Sequence, residues 1–215
     1  AQGEGISFSL EDKLNIAQKL GKLGIAFIEA GNPGSNPKDL EFFRRAGELV
    51  LGETQLVAFG STRKKGGSAR EDEGCAALLS AGTRWVAVFG KSWDLHVRDV
   101  LRTTPEENLR MIRDTVSFLK GKGRRVIFDA EHFFDGCKAD PDFARQTVLA
   151  ARDAGAERVV LCDTNGGTFP EEIAAVTREM VELLGIPVGI HAHNDTGCAV
   201  AAAMAAVEAG ASQVQ

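Results

Sequence analysis

Seven short runs of β-branched and apolar residues recur along the chain, at 25–29, 55–59, 84–89, 125–129, 158–162, 187–191 and 212–214, and helix-like stretches separate them. Leu109, Ile112, Val116 and Leu119 illustrate the intervening pattern, three or four residues apart on one helical face. Asn36-Pro37, Thr104-Pro105-Glu106-Glu107, Asp140-Pro141 and Thr168-Phe169-Pro170-Glu171 supply capping side chains and early prolines, two of them spelling a capping box. Ser9 caps an opening helix, and Gly24, Gly82, Gly155 and Gly210 follow helix ends. Strands that alternate strictly with helices must run parallel, because each return crosses over through the helix. An open doubly wound sheet and a closed (β/α)8 TIM barrel both satisfy that rule. No G-x-G-x-x-G follows an early strand, so the α/β barrel is the expected fold. Seven signals for eight strands lead to the expectation of a barrel incomplete at both ends, lacking the first strand and the end of the last. The whole of 1–215 is read as one partial catalytic barrel domain, with no second domain.

Composition narrows the function classes. With 215 residues, 44% of them hydrophobic, the chain can bury a sizeable core. A formal charge of -5 and no basic run longer than Arg63-Lys64-Lys65 speak against nucleic-acid or membrane-surface partners. Lys91 and Arg63 are candidates for contacts with anionic groups, or else solvated side chains. Cys75, Cys137, Cys162 and Cys198 show no C-x-x-C spacing, which disfavours a zinc knuckle or redox pair and points to buried thiols in a reducing compartment. The alanine-rich stretch 199–209 contains Glu208 and is short for a membrane span. The cytoplasm is the expected location.

Polar residues follow the strand signals: Glu29, Ser61 and Arg63, Lys91 and Trp93, Glu131 and His132, 163–165, then 191–195. In a barrel these positions ring the C-terminal mouth, where active sites are built. His191-Ala192-His193 ends a strand, and alternation puts both imidazoles on one face, able to reach one divalent cation. Two solvated loop histidines are the alternative. Asp129 and Glu131 likewise share a face and could bind a metal or a substrate, or serve as a helix cap or salt bridge. In Asp163-Thr164-Asn165-Gly166-Gly167, Thr164 can hydrogen-bond a carboxylate and the glycines allow close backbone approach, although the same residues make a good turn. Glu29 is costly to bury without a polar partner; it steadies a ligand or forms a structural ion pair.

At this point a resemblance becomes specific. It rests on residues 4–9 (Glu4-Gly5-Ile6-Ser7-Phe8-Ser9), 28–39, 89–97, 129–136 (Asp129-Ala130-Glu131-His132-Phe133-Phe134-Asp135-Gly136) and 162–167, together with the His-Ala-His-Asn-Asp of 191–195. These stretches resemble the citramalate synthases, which stand with isopropylmalate and homocitrate synthases among metal-dependent acyl-CoA condensing barrels related to hydroxymethylglutaryl-CoA lyase. The resemblance implies His191 and His193 as metal ligands, with the metal Mg, Mn or Zn. It implies Glu131 and Glu29 as catalytic carboxylates, Glu131 touching the bound 2-oxo acid and Glu29 supporting the site, with Thr164 on the substrate carboxylate. Acetyl-CoA and a 2-oxo acid are the implied substrates, and a homodimer the implied assembly.

The family's first-strand Arg-Asp pair is expected before Ala1, and its Gly-Glu-Arg-Cys-Gly-Asn segment and C-terminal regions beyond Gln215. The implied reaction is a Claisen-type condensation of acetyl-CoA with pyruvate, followed by thioester hydrolysis. Its rivals are another 2-oxo acid, as in isopropylmalate or homocitrate synthase, a retro-aldol lyase, and a non-catalytic barrel fragment lacking the Arg-Asp pair.

Overall fold

A computed structural model describes residues 5–215, so Glu4 of the first motif and the three residues before it lie outside the described residues. One parallel sheet carries seven strands in chain order: β1 (Phe27–Gly31), β2 (Gln55–Ser61), β3 (Trp85–Lys91), β4 (Arg125–Glu131), β5 (Arg158–Asp163), β6 (Val188–Ala192) and β7 (Gln213–Val214). All seven sequence signals become strands. Four of them, β1 to β4, run two residues further toward the C-terminal end than the apolar runs do, because polar residues can extend a ladder once its core-facing residues are fixed. At β1 the start also moves, from 25 to Phe27, since the Ile25 carbonyl accepts from Thr54 Oγ1 at 2.6 Å rather than from a ladder partner.

The sheet curls into an incomplete barrel. Its outer face packs on the helices through a large cluster that includes Val86, Val88, Ile112, Val116, Leu119, Phe128 and Leu161. Its inner face carries a second cluster of Val57, Trp85, Ala87, Ile127, Val160 and Cys162, with Phe27 and Phe59 against it. Two clusters on opposite faces follow from strands buried on both sides, which is why the runs read as continuously apolar. At the N-terminal end of the interior, Phe27 meets Trp85 edge to face at 5.0 Å. Arg125 lies 4.1 Å over the Trp85 ring and Arg158 5.4 Å over that of Phe27, so cations capping aromatic faces close the bottom of the barrel.

Helix entrances follow the predicted punctuation with two corrections. Asn36, Thr104 and Asp140 cap α2 (Pro37–Ala46), α5 (Pro105–Gly121) and α7 (Pro141–Ala154). The full capping box belongs to Ser9 and Asp12 at α1 (Leu10–Leu23), not to Thr104 and Glu107. The Glu107 carboxylate instead accepts from Gly66 N, Arg63 and Arg110, which take the oxygens a capping box would use. Phe169, not Thr168, is the N-cap of α8 (Pro170–Leu184), and Thr168 donates its hydroxyl and accepts nothing from the helix. Its backbone N–H and hydroxyl both go to the buried Asp163, at 3.1 and 3.0 Å. The remaining helices are α3 (Glu73–Ser80), α4 (Asp94–Asp99), α6 (Phe133–Ala139) and α9 (Ala199–Glu208). No helix among the described residues is long and apolar enough to cross a membrane, and all four cysteines are free thiols.

Candidate active site

The C-terminal ends of the strands bound a cavity of about 480 Å³, lined by Glu29, Gly31, Phe59, Phe89, Asp129, Glu131, Cys162, Thr164, His191 and His193. Glu29, Glu131, Thr164 and the His191–His193 pair come from four separate runs of the sequence, and the parallel register brings them to one mouth. Inward-facing residues alternate along each strand, so Phe89 lies beside Asp129, Lys91 beside Glu131 and Cys162 beside His191 on adjacent strands.

The two imidazoles sit side by side with ring centres 5.1 Å apart. His191 Nδ1–H donates to Gln215 Oε1 at 3.0 Å, which leaves Nε2 as its free lone pair. The same Gln215 amide donates to Glu29 Oε1 at 3.4 Å, so the end of the last strand reaches across to the first. His193 is placed by its backbone: its N–H donates to the Asp163 carbonyl at 3.2 Å. The next loop is pinned by Thr196, whose Oγ1 donates to the Gly166 carbonyl at 2.8 Å. Gly166 has φ +60°, and a Cβ there would stand 2.6 Å from Asp195 Oδ2 and 2.8 Å from Asp195 N. Only glycine allows the 164–167 turn to sit that close to the histidine segment.

On the opposite wall, Lys91 Nζ holds Glu131 Oε2 at 2.6 Å, with both side chains mostly buried. Lys91 is therefore an internal partner of the carboxylate, not a solvated side chain. Arg63 is not a solvated side chain either: it is buried, with Nε on Asp114 at 2.6 Å and Nη1 on Glu107 at 2.9 Å and the Lys64 carbonyl at 3.0 Å. Asp129 neither caps a helix nor forms a salt bridge. It is buried in the barrel interior, where desolvation, with the Glu29 charge second, holds its acid well above the usual carboxylate range. Its Oδ1 has no protein partner among the described residues. Desolvation also raises Glu29, and the neighbouring His191 partly offsets it. Burial, with Asp129, Glu131 and Glu29 nearby, keeps the Cys162 thiol protonated, which removes it as a nucleophile.

Gln215, Phe59, Phe89 and Cys162 belong to the site, although the motifs assign them no role there. Counting back by twos from Glu131, Lys91 and His193 exposes the inward positions of β3, β4 and β6, and that signal reaches Phe89. Gln215 had none, since its role depends on the curvature that brings β7 toward β1.

The donor set suits a divalent cation in part. Two imidazoles with the Nδ1 of one already fixed are good nitrogen ligands, while no group of three His, Cys, Asp or Glu side chains among the described residues is arranged as a metal cluster.

The HMGL-like family model matches residues 1–215. The chain belongs to the HMGL-like family. Among HMGL-like relatives, the (R)-citramalate synthase of Synechocystis sp. is 54% identical over 223 residues, covering 100% of this chain and 41% of that protein. A homocitrate synthase of Saccharolobus islandicus is 38% identical, covering 98% of this chain and 44% of that protein. The chain thus spans about two fifths of the length of these curated relatives. The HMG-CoA lyase of Bacillus subtilis superposes with a TM-score of 0.79 at 17% identity, over 99% of this chain and 71% of that one, a likeness of fold.

Proposed function

We propose that the protein condenses acetyl-CoA with pyruvate and releases citramalate and CoA, with a divalent cation held at His191 and His193. The observation that carries this reading is the convergence of Glu29, Glu131, Thr164, His191 and His193 on one cavity, in a chain 54% identical along its whole length to (R)-citramalate synthases. Bound there, Mg, Mn or Zn would act as a Lewis acid toward the ketone of the 2-oxo acid. Thr164 donates its hydroxyl to the substrate carboxylate. Glu131, steadied by Lys91, presents its other oxygen to the oxo acid, and Glu29 supports the histidine side through Gln215. The base that takes the methyl proton of acetyl-CoA is assigned to no residue of this chain. Carbon–carbon bond formation is followed by attack of water on the thioester, which frees CoA.

The cavity wall suits an oxo acid with a small apolar side chain. Phe59 and Phe89 stack at 5.2 Å and offer a flat apolar surface to a methyl group.

The test is CoA release from acetyl-CoA with pyruvate, 2-oxoisovalerate and 2-oxoglutarate in turn, with Mn²⁺ or Mg²⁺ added. Pyruvate is expected to give the highest kcat/KM. Preference for 2-oxoisovalerate would make the protein an isopropylmalate synthase, and no release with any acid would favour a non-catalytic barrel.

A further inference from the structure

We propose that His132 is a positioning residue that aims the Thr164 hydroxyl into the cavity; the inference rests on the 2-oxo acid reading and names a part of that site. Its motivation is backbone geometry. His132 has φ +56° and ψ 35°, a left-handed conformation that residues bearing a side chain rarely adopt. In that conformation its backbone N–H donates to Thr164 Oγ1 at 2.9 Å, across from β4 to the end of β5. The bond occupies the hydroxyl as an acceptor. Thr164 makes no other side-chain hydrogen bond among the described residues, so its own proton is left to donate toward the cavity it lines.

The ring of His132 supplies what keeps the backbone there. It is 7% exposed, packed edge to face on His96 at 4.2 Å and tilted against Trp93 at 5.7 Å. Its Nδ1 faces Asp135 Oδ2 at 3.3 Å, and that same oxygen accepts from Asn165 Nδ2 at 3.0 Å. His132 therefore grips two consecutive residues of the turn: Thr164 through its amide, and Asn165 through its ring by way of Asp135. A histidine kept only to fill space would need neither the left-handed backbone nor the bond to a cavity hydroxyl.

Two variants separate the parts. Asparagine tolerates the left-handed region, whereas valine resists it. In steady-state assays H132V is expected to raise the KM for pyruvate about tenfold, the order of one lost hydrogen bond, with a smaller change in kcat. H132N should remain within about threefold of the parent. In a T164V background, H132V should add no further loss, because the effect of His132 passes through that hydroxyl. A second arm needs no substrate: hydrogen exchange should show the His132 amide protected in the parent and exposed in T164V. Additive KM losses in the double variant, or a His132 amide that exchanges equally fast with and without the Thr164 hydroxyl, would overturn the proposal. So would a fall in thermal stability and kcat with KM unchanged, which marks a structural role. Should the parent use no pyruvate at all, the functional reading fails, and the exchange arm decides the positioning claim alone.

Discussion

A glycine and an arginine mark two ways in which single residues shape this molecule. Gly166 allows the turn after β5 to lie against the histidine segment, with a Cβ position 2.8 Å from Asp195 N. G166A combines a strained left-handed alanine with that backbone clash, an expected loss of about 1–3 kcal/mol in stability. Because the clash falls on 193–195, divalent-cation affinity should drop as well, by about tenfold or more; denaturant melts and a Mn²⁺ titration of the same variant check both. Arg63 reads from sequence as an anion contact or a solvated side chain and is instead the buried centre of a carboxylate pair. The sequence holds no cue for this, since Glu107 and Asp114 lie 44 and 51 positions away. The Gly66 amide, with Arg63 and Arg110 beside it, lowers the Glu107 acid to about 2. Its folded value lies below the ordinary 4.5, so the stability it contributes is present above pH 4.5 and lost as pH falls from there toward 2. Urea unfolding of the parent and E107Q across that range should show a stability difference that shrinks as the solution acidifies.

At the scale of elements, the two ends of the barrel have different duties. Trp85, near the start of β3, closes the bottom with Phe27 and the cations Arg125 and Arg158. W85A should cost about 3–5 kcal/mol by emptying that layer. In the folded fraction the KM for pyruvate should stay unchanged, because the layer lies at the far end of the strands from the mouth. Chemical melts and kinetics on one preparation distinguish this from a substitution at the mouth. Element identity was legible in the sequence because apolar runs, prolines and caps are local signals, as Asn36 and Asp140 show. Capping boxes were misread where a tertiary partner won: Glu107 turned to Arg63, and Thr168 to Asp163. Local patterns cannot register such competition, which depends on what the fold brings near.

For the whole molecule, the parallel sheet followed from alternation, the barrel from the missing dinucleotide fingerprint, and Glu29, Glu131, Thr164, His191 and His193 do converge after their strands. What alternation could not supply is curvature. Gln215 meets Glu29 from 186 positions away, and Asp129 feels the Glu29 charge across the interior, only because the sheet curls. These contacts turn a row of strand ends into a site with a histidine side and a carboxylate side. The account's central claim is that this site binds a divalent cation through His191 and His193 and a 2-oxo acid beside it. Its most direct test is a Mn²⁺ titration of the protein followed by water-proton relaxation, with and without pyruvate, in the parent and in H193A. The account predicts that the parent binds Mn²⁺, that pyruvate alters the relaxation of the bound ion, and that H193A loses both effects. Mn²⁺ affinity unchanged in H193A would contradict it.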